Sequence, residues 1–103
     1  MKGKMTTVQF RHWECVPVIG AYGNKRPALA LIDAITGEII ATASINMPEV
    51  PLDEGEIIIK DYSENVGMLA ALLAVGIIEE TERAVQMPYG DPAPICRLRA
   101  DKA

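Results

Sequence analysis

Residues 28–46 read ALALIDAITGEIIATASIN and carry the clearest structural pattern in the sequence. Two apolar segments, Ala28 to Ala34 and Ile39 to Asn46, flank a four-residue turn. Gly37 can adopt the positive φ that a tight hairpin requires, and Asp33 can accept hydrogen bonds from the loop backbone. The pattern predicts a β-hairpin. On its second strand, alternation puts two sets of side chains on opposite faces: Ile39, Ala41, Ala43 and Ile45 on one, and Ile40, Thr42 and Ser44 on the other.

Further strands are expected on both sides of this hairpin. Residues 6–22 contain many β-branched and aromatic side chains, and Pro17 within them is typical of an edge strand or a break. Residues 56–60, with three consecutive isoleucines, predict a short strand. Residues 77–85 predict another strand, interrupted by glutamates, and residues 95–99 a last one.

One helix is predicted over residues 64–75. Ser63 can cap its start, and Gly76 is the expected stop. Between them, leucines recur at helical spacing. The order of elements predicts an α+β fold, a small and mostly antiparallel sheet with one helix packed on a face. We expect a single domain over residues 1–103, with residues 1–5 flexible.

Composition indicates a protein that folds and stays in the cytoplasm. Half of the residues are hydrophobic but only 5% are aromatic, so the core must be mainly aliphatic. The longest uncharged stretch, residues 65–78, is shorter than the roughly 18 apolar residues that cross a bilayer. Polar residues follow Lys2 and Lys4, where a secretion signal would be apolar. In the cytosol, Cys15 and Cys96 are expected to be thiols.

The net charge of −4 is distributed unevenly. Residues 1–27 carry five basic side chains and one acidic (+4), residues 28–82 eleven acidic and one basic (−10), and residues 83–103 four basic and two acidic (+2). An acidic middle repels nucleic acid, although residues 10–13 interleave aromatic and basic side chains that could stack on bases. The acidic middle argues against direct nucleic-acid binding and could attract a basic cleft on another protein.

The sequence contains no recognisable catalytic, cofactor or metal motif. His12 lies three residues from Cys15, and on a strand this spacing points the two side chains to opposite faces. Together with Cys96, they lack the paired spacing of a structural zinc site. The glycines match neither the dinucleotide-binding nor the phosphate-binding loop. We therefore predict no catalytic residue, no cofactor and no metal, and a protein that is not an enzyme.

One segment carries a resemblance. Residues 59–65 read IKDYSEN, followed by GML at 67–69 and GI at 76–77. This sequence resembles a segment of small proteins of unknown function that are encoded by bacteriophages and conjugative elements. The similarity runs over about residues 28–99 and includes the PEVPL of residues 48–52. It implies no site residue, because that family has no known chemistry.

The resemblance, the small size and the acidic middle together predict a non-enzymatic phage or mobile-element protein in the host cytoplasm. We expect it to bind and inhibit a host defence protein or ribonucleoprotein complex, as an anti-CRISPR-like inhibitor. Tyr62 stands out, because a tyrosine between charged residues is a frequent interface anchor. The residues predicted to contact the partner are Asp53, Glu54, Glu56, Asp61, Tyr62, Glu64, Glu79, Glu80 and Glu82.

Two alternatives remain open. The first is a structural or accessory module that self-associates through an exposed sheet edge, for example as a homodimer. The second is a small hydrolase or thiol enzyme that uses Cys15 or Cys96 with His12.

Overall fold

The computed structural model describes residues 6–99, which form two four-stranded antiparallel sheets and one short helix. The first sheet has the order β1-β2-β3-β4 and the second β5-β6-β8-β7. The elements in chain order are β1 (Val8–Phe10), β2 (Trp13–Ala21), β3 (Pro27–Asp33), β4 (Ile39–Thr42), β5 (Ser44–Ile45), β6 (Glu56–Ile59), a 3₁₀ turn (Ser63–Asn65), α1 (Met68–Ala74), β7 (Ile78–Val85) and β8 (Ala93–Leu98).

The predicted α+β class is confirmed in its coarse form, but sheet dominates and is divided in two. The predicted flexibility of residues 1–5 concerns a segment outside the described residues. Strand β2 continues through Pro17 without a break. Since β1 pairs only with Trp13–Cys15, no strand within residues 6–99 pairs with β2 beside Pro17 on that side. The edge position predicted for this proline is confirmed for the described part of the sheet.

The predicted hairpin is formed by β3 and β4. Gly37 has φ of +79° in the turn between them. The Asp33 Oδ1 atom accepts hydrogen bonds from the amides of Ile35 at 2.7 Å and Thr36 at 3.1 Å. The turn therefore closes by the chemistry that its sequence predicts.

A bulge in this hairpin changes which side chains face the core. Leu31 pairs with Ala41, but the next residue, Ile32, pairs with Ile39. Because of this register shift, Ile39 and Ala41 lie on opposite faces of β4. Ile39 is 72% exposed, whereas Ala41 packs against the core. The predicted alternation along this strand is therefore wrong.

The chain passes from the first sheet to the second at Ala43. Its amide donates to the Leu29 carbonyl oxygen in β3, and its own carbonyl oxygen accepts from the Lys60 amide after β6, both at 2.8 Å. In the next residue, Ser44 Oγ accepts from the Leu29 amide at 3.0 Å and is hydrogen-bonded to the Tyr22 hydroxyl at 2.7 Å. Ala43 and Ser44 are both buried. These two residues, the sheet junction, therefore bond to both sheets.

The predicted helix is shorter and begins later than expected. Its first residues form the 3₁₀ turn, and Gly67, with φ of +101°, separates that turn from α1. The Asp61 Oδ1 atom accepts hydrogen bonds from the amides of Gly67 at 3.1 Å and Leu69 at 2.8 Å. Asp61 thus satisfies amides at the start of α1. The predicted cap by Ser63 is wrong, since neither turn nor helix has a side-chain cap from its flanking residue.

The end of the helix agrees with the prediction. Gly76 has φ of +76° after α1, and its amide donates to the Leu73 carbonyl oxygen at 3.1 Å. The helix packs against β1 and β7 through the fully buried Met68 and Leu72. No helix within residues 6–99 is long and apolar enough to span a membrane.

Strand β6 of the second sheet is buried on both of its faces. Ile57 and Ile59 contribute to the main core, which also receives the inner face of the first sheet and α1. Ile58 points the other way, into a smaller core that residues 45–52 help to cover. Two covered faces explain why three consecutive isoleucines are all at most 1% exposed.

Two arginines hold this covering segment in place. Arg26 donates to the carbonyl oxygens of Met47, at 2.8 Å, and Val50. Arg83 donates to the carbonyl oxygen of Pro51 at 3.1 Å. Residues 46–52 form no strand, and the two guanidinium groups bind their carbonyl groups in place of a neighbouring strand.

The sheet junction generates a stability prediction. Changing Ser44→Ala removes the oxygen that accepts from the buried Leu29 amide, and leaving that amide unpaired should cost about 1–3 kcal/mol of unfolding free energy. The matched change Tyr22→Phe leaves this bond intact and should cost about 0.5–1.5 kcal/mol. Urea unfolding of both variants measures the difference, and an equal cost would contradict the role given to Ser44.

Candidate functional site

The two cysteines are buried free thiols in the main core. Burial raises the pKa of Cys96 to about 11, and the nearby Glu80 carboxylate adds to this effect. Burial, and then the charge of Asp33, also raise the pKa of Cys15. Because the thiolate is the nucleophilic form, this environment works against thiol chemistry at neutral pH.

His12 lies apart from both thiols. It occupies the two-residue turn between β1 and β2, is exposed, and packs its ring on Trp13 with the centroids 4.0 Å apart. Among the hydrogen bonds of residues 6–99, none joins His12 to Cys15 or Cys96. In the same part of the chain, no group of three or more His, Cys, Asp or Glu side chains could hold a metal ion.

The structure does not bring the nine predicted contact residues into one patch. Most of them line three separate concave regions of the surface. Asp61 and Tyr62 line the first region. The second region is lined by Asp53, Glu54 and Glu56, in and next to the turn before β6. The third is lined by Glu80 and Glu82, in the middle of β7.

Glu56 is an internal structural residue. It is 2% exposed, and its carboxylate accepts hydrogen bonds from Arg83 Nη1 at 2.6 and 2.7 Å and from the Asp53 amide at 2.8 Å. Burial alone would raise the pKa of Glu56, but the Asp53 amide and the charges of Arg83 and Arg97 outweigh it, and the pKa lies below its ordinary value of 4.5. The carboxylate is therefore ionised, and its hydrogen bonds go to Arg83 and Asp53 of the same chain.

Two further predicted residues are exposed but paired. Glu79 Oε2 lies 2.6 Å from Arg99 Nη1. Glu64 Oε2 lies 2.6 Å from Lys60 Nζ, and chiefly this hydrogen bond lowers the pKa of Glu64 to about 2. The Lys60 ammonium also lies 5.7 Å from the centroid of the Tyr62 ring. Lys60 thus connects the acidic and aromatic side chains of this segment, although water screens the exposed ion pair.

The region around Tyr62, here termed the Tyr62 groove, has the largest volume of these three concave regions. It has a volume of about 570 Å³ and separates the segment after β6 from the loop before β8. Tyr62 and Val66, which are 38% and 60% exposed, form apolar contact points on one wall. The full lining is Asp61, Tyr62, Ser63, Val66, Leu69, Ala84, Gly90, Asp91, Pro92, Ala93 and Pro94.

An exposed aromatic and an exposed aliphatic side chain beside carboxylates match the composition of protein-binding sites, where apolar anchors are surrounded by polar groups. Of the residues that line this groove, the sequence predicted Asp61 and Tyr62 as contact residues but not Val66 or the opposite wall. Val66 falls within the helix predicted over residues 64–75, but the break at Gly67 separates it from α1. The opposite wall is brought next to Tyr62 by the pairing of β7 with β8, which is distant in sequence, so no local sequence pattern predicts it.

The ion pair of Glu56 generates a prediction about pH. Its lowered pKa means that the ionised form stabilises the fold above about pH 4.5, and that this contribution is lost as the pH falls through the lowered value. Changing Glu56→Gln should cost about 1–3 kcal/mol at pH 7 and progressively less below pH 4.5. Urea unfolding at pH 7 and pH 3.5 measures this, with Glu54→Gln as the exposed control. A cost independent of pH would refute the account of Glu56.

No family model matches this chain, and no curated protein or solved structure matches it significantly.

Proposed function

We propose that this protein acts by binding, as an anti-CRISPR-like phage or mobile-element protein that inhibits a host defence complex. The observation that carries the proposal is the Tyr62 groove, in which exposed apolar side chains lie beside carboxylates. The resemblance of residues 59–77 to phage and conjugative-element proteins supplies the biological context.

The wall that carries Tyr62 is held firmly, which favours binding. Asp61 accepts two amide hydrogen bonds at the start of α1. Asn65, 1% exposed, donates from Nδ2 to the Thr42 carbonyl oxygen at 2.8 Å and so ties the 3₁₀ turn to the neighbourhood of the sheet junction. A preorganised contact surface loses little conformational entropy on association, so more of its contact energy appears as affinity.

The surface charge favours a basic partner. Some of the described cations bind backbone carbonyl groups of the same chain. Arg26 binds those of Met47 and Val50, and Arg11 donates to the Val66 carbonyl oxygen at 3.3 Å. Meanwhile, exposed carboxylates take part in none of the ion pairs between residues 6–99, namely those of Asp53, Glu54, Glu80, Glu82 and Asp91. Such a surface repels nucleic acid. It attracts a cationic protein surface of the kind with which a ribonucleoprotein complex binds its nucleic acid.

The alternative of a thiol enzyme has less support. Both thiols are buried with raised pKa values, and His12 lies in an exposed turn. A nucleophilic cysteine needs a base within hydrogen-bond reach of sulfur. These observations favour binding over catalysis.

The test removes the groove anchors and measures inhibition. The double change Tyr62→Ala and Val66→Ala truncates side chains that are already exposed, so the fold should persist. Loss of two contact anchors should cost about 2 kcal/mol or more, or roughly 30-fold in the protein concentration that half-inhibits target-DNA binding by a purified CRISPR effector complex. The control Ile35→Ala removes a side chain that is 92% exposed in the β3–β4 turn and should behave as the unchanged protein.

Thermal unfolding followed by circular dichroism confirms that the variants are folded. Effector complexes that bind DNA unimpeded at saturating unchanged protein would overturn the proposed function. Equal inhibition by the double variant would exclude the groove as the contact site.

A further inference from the structure

The outer face of the first sheet is apolar and uncovered. In the register of β2 with β3, Val16 lies opposite Ile32 and Val18 opposite Ala30. Their neighbours on the inner face, such as Leu29 and Leu31, are fully buried. On the outer face none of the side chains is buried, and no element within residues 6–99 covers them. We define the outer face as Val16, Val18, Ala28, Ala30, Ile32, Ile39 and Thr42, with Glu14 at one end.

This face differs from an ordinary solvated sheet face. An antiparallel sheet with one face in water usually carries polar side chains there. Here the exposed positions include Val18 at 44% and Ile39 at 72%. Contiguous exposed apolar surface on a small protein marks an interaction site. The bulge in β4 enlarges it, because it turns Ile39 outward.

The charges at its two ends fit a second copy of the same chain. Glu14, exposed, lies at the end next to the β1–β2 turn. Lys25, exposed, lies in the turn that joins β2 to β3 at the other end. When two copies face each other about a two-fold axis with their strands reversed, the acidic end of each meets the basic end of the other. Between these ends the face carries no charge to be desolvated.

We propose that the outer face binds a second copy of this chain and forms a two-fold symmetric dimer. Three strands spaced about 4.8 Å apart give a face only about 14 Å wide. Permanent dimers bury 2,000 Å² or more. The association is therefore reversible and concentration-dependent. No residue of the outer face lines the Tyr62 groove, so dimerisation leaves the groove accessible.

Pairing through a sheet edge, which the sequence leaves open as an alternative, has less support. The edge strand β4 has its Thr42 carbonyl oxygen occupied by Asn65. The edge strand β7 carries three exposed glutamates and an irregularity at Glu82, where φ is +69°. Charges and bulges on an edge disfavour strand addition.

Sedimentation velocity on the full chain, from about 1 μM to about 1 mM, tests the dimer. The unchanged protein should shift from monomer to dimer within this range. Val18→Lys and Ile39→Lys each place a charge on the outer face at an already exposed position, and should raise the dissociation constant at least about tenfold. The control Val66→Lys places the same charge in the Tyr62 groove and should leave dimerisation unchanged.

Charge reversal tests the arrangement of the two copies. Glu14→Lys and Lys25→Glu should each weaken the dimer, and the two changes together should restore it. A monomer at every concentration, or undiminished dimerisation of both lysine variants on the outer face, would overturn the proposal. A double reversal that fails to restore association would overturn the reversed-strand arrangement. Because Val18→Lys spares the groove, it should still inhibit the effector complex, so the two proposals fail separately.

Discussion

The backbone of Ala43 is hydrogen-bonded to both sheets, and this crossing fixes how the two sheets meet. One continuous segment, β4 followed by β5, would extend a single hairpin if its register stayed regular. Instead, the Ala43 amide donates to Leu29 in β3, and the Ala43 carbonyl oxygen accepts from Lys60, the residue after β6. Ser44 completes the crossing by supplying an oxygen to the Leu29 amide. Burying this crossing without unpaired polar groups allows two small sheets to enclose one core.

The crossing also positions the candidate site. Lys60 donates its amide to Ala43 and immediately precedes Asp61 and Tyr62. Asn65 anchors the following turn to Thr42, next to the crossing. The groove wall is thus fixed at both of its ends to the same part of the core. The internal use of arginines adds a second effect, because the guanidinium groups that hold loops leave carboxylates dominant on the surface.

Local chemistry explains what could be predicted from the sequence. The β3–β4 turn followed from Gly37 and Asp33, and the helix end from Gly76, since each of these residues acts on its own neighbours. The bulge at Ile32 and the capping of α1 by Asp61 could not be read this way. Both depend on how distant segments pack. The same limit applies to the groove, of which one wall was anticipated and the other was brought there by the β7–β8 hairpin.

The proposed function requires that the Tyr62 groove is the surface that contacts the partner. Hydrogen–deuterium exchange of the protein, free and in the presence of the CRISPR effector complex that it is proposed to inhibit, measures this. Binding should slow amide exchange in residues 61–69 and 90–94, while the amides of the sheet junction, already protected, change little. Unchanged exchange in both groove walls, with slowing confined to another surface, would rule out the groove as the contact surface.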